Sequence, residues 1–76
     1  MRNTEEIIGE WLREQREKTG RSLQQVAERY GVSRSTISCW ENAKRSISAK
    51  DLVEYSRTLD ADLDELADHL RGGVRV

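Results

Sequence analysis

The segment Leu23–Asn42, LQQVAERYGVSRSTISCWEN, decides the fold. Leu23, Val26, Ala27 and Tyr30 recur at i, i+3, i+4 and i+7, the spacing of one buried helical face. Gly31 follows, and a residue without Cβ takes the left-handed conformation that ends a helix at little cost. Ser33 suits the next N-cap, where a side-chain oxygen accepts from a free backbone N–H. Val32 before that cap and Ile37 four positions into the helix have the spacing of a hydrophobic staple. Ile37 and Trp40 give this helix its inner edge. Arg34, Ser35, Thr36, Ser38 and Cys39 fall on its other sides. Two short helices crossed through one glycine turn make a helix-turn-helix unit.

Working outward, a first helix is expected over 4–18. Asn3 or Thr4 can cap it, and Glu5 and Glu6 suit the positive end of its dipole. Ile8 and Leu12 are its expected core members. Trp11 is expected at the margin of that face, partly exposed and covering the carboxy-terminal helix; the alternative is an interface anchor. Thr19, Gly20 and Arg21 form the turn into a helix over 23–30. Ser22 is its cap, with Gln25 at the capping-box position. A third helix is expected over 34–42, with a loop from Ala43 to Ile47. Ser48 caps a fourth over 49–59, whose inward stripe is Leu52, Tyr55, Ser56 and Leu59. Asp60–Ala61–Asp62 is the next break. Asp62 and Glu65 have the capping-box spacing for a fifth helix over 63–70, with Leu63, Leu66, Ala67 and Leu70 as its apolar set. Gly72 and Gly73 end it, and the tail 71–76 is expected to fray, a swapped edge strand through Val74 and Val76 being a thinly supported alternative.

Composition agrees with an all-α domain. Phe and Pro are absent, glycines are few, and charged residues recur at helical spacings. Seventy-six residues make one small domain whose core is modest and often gains from a partner subunit. A single cysteine forms no internal disulfide. No apolar run approaches the roughly 18 residues of a membrane span, and no signal peptide is visible in MRNTEE, so a cytoplasmic location is expected. The net charge of −1 conceals a polarity. Residues 1–45 hold nine Lys/Arg and seven Asp/Glu, whereas residues 46–76 hold four and seven. From Arg29 to Arg45 there are four basic residues and one acid, Glu41. If Glu41 is paired internally, the exposed charge there is wholly positive. Scatter in a small soluble protein is the bland alternative, and charge alone does not choose.

The segment SLQQVAERYGVSRSTISCWENAKR resembles the Cro and phage-repressor group of DNA-binding domains, and WENAKR is its most specific part. The resemblance runs without gaps from about Ile8 to Leu70. It implies a compact, five-helix, lambda-repressor-like domain that binds double-stranded DNA. A recognition helix presents its first turn and one face to the major groove. The base-facing candidates here are Arg34, Ser35, Thr36, Ser38 and Cys39, of which the resemblance points to Ser35, Thr36 and Cys39. Arg34, one residue past the cap, can grip a guanine or hold a phosphate. The resemblance marks Asn42, Lys44 and Arg45 as backbone clamps, and Ser22, Ser33 and the backbone N–H groups at the starts of helices two and three can also hold phosphates. Relatives commonly open helix two with a phosphate-gripping glutamine. Leu23 stands there in this chain, and Gln24 or Ser22 can substitute. Relatives also commonly have glycine after the asparagine, where this chain has Ala43. Either Asn42 takes the left-handed conformation or the loop differs.

The resemblance also pairs Arg16 with Glu41 in a structural salt bridge, and a fork-shaped guanidinium beside a half-buried carboxylate suits that role. Trp40 reads as core. Cys39 reads as a small neutral side chain rather than a redox sensor. No catalytic residues, metal ligands or cofactor site stand out. His69 is expected at the surface, and DADLDE lacks the spacing of a calcium loop. The expected function is a non-enzymatic transcriptional regulator, a repressor acting as a homodimer on a pseudo-palindromic operator. The alternative is an interaction module offering Asp60, Asp62, Asp64 and Asp68 to a protein partner such as a toxin or a polymerase subunit.

Overall fold

The structure, a computed structural model, describes residues 3–71. They form five helices: α1 Thr4–Lys18, α2 Leu23–Tyr30, α3 Arg34–Glu41, α4 Ala49–Thr58 and α5 Leu63–Leu70. The expectations for Gly72, Gly73 and the valine tail lie outside the described residues. Each start is written locally. Asn3 caps α1 in a closed capping box with Glu6, and Ser22 does the same for α2 with Gln25. Ser33 and Ser48 cap α3 and α4 by accepting from the N–H groups of Thr36 and Asp51.

The ends of α2, α3 and α4 share one device, a left-handed residue. Gly31 at φ 91° closes α2, with its N–H donating to the Ala27 carbonyl. Ala43 at φ 60° closes α3, and Asp60 at φ 58° follows α4. Beyond α3 the Ala43 N–H donates to the Trp40 carbonyl at 3.4 Å and the Lys44 N–H to the Cys39 carbonyl at 2.9 Å. These two bonds make a Schellman motif with alanine at the position that glycine usually fills. Ala43, not Asn42, is therefore the left-handed residue; Asn42 keeps φ −100°. For this reason α3 closes at Glu41, one residue earlier than the sequence suggests, and α4 closes at Thr58 with Leu59 as its cap.

The core consists of Trp11, Leu12, Val26, Ala27, Ile37, Trp40, Tyr55, Leu59 and Leu66, one contribution or more from every helix. Helix α3 packs against both α1 and α2, α5 lies on α1, and α4 lies on α2. Tyr30, Trp40 and Tyr55 form an aromatic cluster with ring centroids 5.3–6.2 Å apart. Tyr30 also ties α2 to α4 by donating to Asp51 at 2.8 Å. Burial, joined by that bond, pushes its phenol above the usual tyrosine range.

Three expectations for the α1–α5 side are overturned together. Trp11 is 1% exposed and belongs to the core, whereas Ile8 is only half-buried. Gln15 is 7% exposed and donates to Glu65 Oε1 at 2.9 Å. The Trp11 indole N–H reaches the same oxygen, also at 2.9 Å. Glu65 is thus drawn to α1 and does not close a capping box. Asp62 caps α5 alone, by accepting from the Asp64 N–H. The physical reason is a competition: two buried donors must be satisfied, and Glu65 is the acceptor that α5 places over them.

Candidate nucleic-acid interface

The interface begins with what holds α3 in place. Gly9 of α1 lies against its end so closely that a Cβ there would sit 2.6 Å from the carbonyl oxygens of Trp40 and Glu41. Arg16 then grips Glu41 through two parallel bonds, Nε to Oε2 at 2.7 Å and Nη2 to Oε1 at 3.1 Å. Its remaining amino group donates to the Arg21 carbonyl at 3.0 Å, which ties in the turn before α2. The two side chains are only 12% and 5% exposed. The bond to Glu41 holds the Arg16 guanidinium above its already high value. The brace removes the one acid of the Arg29–Arg45 stretch from the surface.

At about 100° per residue, Ser35, Ser38, Cys39 and Asn42 share the face of α3 opposite Ile37. Arg34 and Thr36 flank it. Arg34, Ser35 and Asn42 are exposed, and Thr36, Ser38 and Cys39 are half-buried. Ser33 is exposed at the head of α3, where its hydroxyl lies 3.1 Å from the Ser35 hydroxyl and 2.8 Å from that of Thr36. Lys44 and Arg45 emerge exposed from the Schellman turn. Among the described residues, Arg34, Lys44 and Arg45 form no ion pair, so three cations around this face remain available.

Other candidate side chains are engaged. Ser22 serves its capping box. Gln24 donates to Glu28 at 2.9 Å rather than projecting freely. Leu23, where relatives carry a glutamine, packs half-buried against the core. Asn42 folds back on Ser38, to its carbonyl at 2.9 Å and its hydroxyl at 3.3 Å. The sequence reading missed Gly9 and the role of Asp51. A glycine inside a helical pattern was the available signal for the first; nothing local announced the second. Among the described residues no group of acids, histidines and cysteines could hold a metal, and no helix is long and apolar enough to cross a membrane.

A glycine-turned helix pair, a buried brace behind it and unpaired cations around the outer face define a DNA-binding helix-turn-helix domain. The comparisons agree: the helix-turn-helix family matches residues 12–66, and this chain belongs to that family, of Cro and phage-repressor type. It is 37% identical over 70 residues to a proposed HTH-type transcriptional regulatory protein of Thermococcus kodakarensis, covering 92% of this chain. The chain spans only 22% of that relative's length. No solved structure matches it significantly.

Proposed function

We propose that the chain is the sequence-reading domain of a transcriptional regulator, acting as a repressor in homodimeric form on a pseudo-palindromic operator. In this reading α3 enters the major groove. Arg34, Ser35, Thr36, Ser38 and Cys39 face the base edges. Asn42, Lys44 and Arg45 clamp the backbone, and Ser22, Gln24 and Ser33 reach phosphates by giving up their present bonds within the chain, beside the uncapped N–H groups at the heads of α2 and α3. The observation that carries the proposal is the trio of unpaired cations, Arg34, Lys44 and Arg45, bordering the outward face of α3 while Glu41 is neutralised from behind. Useful specificity requires two copies, since one such helix reads only a few base pairs.

Selection of bound genomic fragments, footprinting and a salt titration test this. Log affinity should fall linearly with log salt. Arg34→Ala should weaken binding and relax one base position, whereas Lys44→Ala should weaken all sequences about equally. Binding to no duplex at any salt would sink the proposal. It would favour the second reading, in which a protein partner, a toxin or polymerase subunit, docks on α5, where Leu70 is 40% exposed beside the acids of that helix.

A further inference from the structure

Helix α5 rests chiefly on α1. Of its residues only Leu66 is buried. Its polar tie is Glu65, whose Oε1 accepts from the Trp11 indole and from Gln15, each at 2.9 Å. The rest of the core comes from α1 to α3 and from α4 with its cap Leu59. The seat of α5 is therefore built without α5. A fifth helix from the same chain and one from a second copy would find the same Trp11, the same Gln15 and the same apolar floor. Exchange of an identical element between such seats is a ready route to a dimer.

The connection Asp60–Ala61–Asp62 decides which seat is filled. It contains no glycine and no proline. Asp60 reverses the chain at φ 58°, a conformation that aspartate tolerates less well than glycine. Two backbone bonds hold the reversal, from the Asp60 N–H to the Arg57 carbonyl at 3.1 Å and from the Ala61 N–H to the Ser56 carbonyl at 2.8 Å. Were Asp60 to take helical dihedrals, these donors would pass to the Ser56 and Arg57 carbonyls, their ordinary helical partners. The Asp64 N–H, now capped by Asp62, would pass to the Asp60 carbonyl. No backbone donor is stranded. The product is one helix over 49–70, about 33 Å long, which carries α5 away from its own α1. Short hinges under strain favour exchange. Among the described residues Val53 and Leu70 are the exposed large hydrophobics, a thin apolar core for contact between two closed copies. Exchange uses surface that each copy already buries.

We propose that the homodimer forms by exchange of α5: α4 and α5 straighten into one helix, and α5 docks on α1 of the second copy, where its Glu65 accepts from Trp11 and Gln15. The interaction surface is thus the Trp11–Gln15 face of α1, and its partner is a second copy of this chain. Helices α2 and α3 and the Arg16–Glu41 brace are untouched, so each copy keeps its helix pair. The proposal rests on the homodimeric reading.

The test uses the full chain. Isotope-labelled and unlabelled protein are refolded together, and filtered nuclear Overhauser spectra are recorded on the dimer. Contact between the Trp11 indole proton and the Glu65 side chain should cross between copies. Light scattering over a concentration series gives the dimer dissociation constant. Asp60→Gly relaxes the reversed turn and weakens a continuous helix, so it should loosen the dimer at least about 10-fold. Asp60→Ala favours the continuous helix and should tighten it. The spectra use the unaltered protein, so a folding defect in a variant does not obscure them. Three results would overturn the proposal: a dimer whose Trp11–Glu65 contact stays within each copy, a dimer indifferent to Asp60→Gly, or one that both variants loosen alike. Each leaves the homodimeric reading standing. A chain that stays monomeric at every concentration and on its operator would remove both.

Discussion

At the scale of single residues, the loop after α3 turns on Ala43. Its φ of 60° puts a Cβ where the left-handed region penalises one, while the two bonds of the Schellman turn hold it there. Glycine would keep both bonds without the penalty. Ala43→Gly should therefore stabilise the domain by about 1 kcal/mol, net of glycine's greater freedom when unfolded. In a domain of this size that raises Tm by roughly 4–8 °C. Thermal melts of the two proteins decide it, and a lower Tm for the glycine variant would mean the alanine is unstrained. On the proposed reading the position also bears on DNA binding, because the turn sets where Lys44 and Arg45 leave the helix. A relaxed turn that weakened DNA binding while raising Tm would show that the strain orients the clamps.

At the scale of elements, α3 and α5 are each fastened to α1 by one carboxylate, in different ways. Glu41 is held by the fork of Arg16, with both side chains nearly buried. Removing either partner leaves the other charge without its match, at about 3 kcal/mol. Arg16→Lys should recover little, since a point charge cannot make both parallel bonds. A double-mutant cycle in urea should show strong coupling between Arg16 and Glu41; independent effects would mean the pair only fills space. Glu65 instead accepts from Trp11 and Gln15, and the Trp11 bond, foremost, holds its carboxyl below the usual glutamate range. The unfolded chain then takes up the proton first, so the stability from this bond is complete above the ordinary glutamate pKa and lost as pH falls through the folded value. Glu65→Gln keeps an acceptor oxygen and loses the titration. Between about pH 5 and pH 3 the parent's Tm should fall more steeply than the variant's; parallel profiles would remove Glu65 from the acid response. The two fastenings were unequally legible. The Arg16–Glu41 pair came from resemblance, and Gly31, Ser22 and Ser33 from local chemistry, because turns and caps are satisfied within a few residues. Trp11, Gln15 and Glu65 could not be read this way. Their partners lie about fifty positions apart in the chain, and a Glu three residues after Asp62 is equally consistent with a cap. On α3 the outward face was legible from the helical period, but the Asn42–Ser38 bond was not, since the same asparagine could equally have taken the left-handed turn.

At the scale of the whole molecule, a net charge of −1 should repel DNA, so binding depends on how the charge is arranged. Residues 46–76 carry seven acids against four Lys/Arg, and Arg34, Lys44 and Arg45, unpaired among the described residues, lie on α3 and the turn after it. Such a polarity turns one side toward the duplex at encounter, an effect that salt screens beyond about 10 Å at 0.1 M. The salt dependence then counts copies. Each phosphate neutralised contributes about −0.9 to the slope of log affinity against log salt. The absolute slope also absorbs Arg29 and any other cation near the backbone, so it is an unsafe counter. The change caused by one variant is safer, because every other contact cancels. If Lys44 neutralises one phosphate per chain, Lys44→Ala should make the slope shallower by about 0.9 when one copy binds and by about 1.8 when two copies occupy a pseudo-palindrome. A change near 0.9 on the full selected operator would contradict the dimeric reading, and no change would remove Lys44 from the backbone contacts. A duplex carrying half of that operator provides the control: there the change should fall to about 0.9 for the dimeric protein, since only one of its two α3 helices can meet its site.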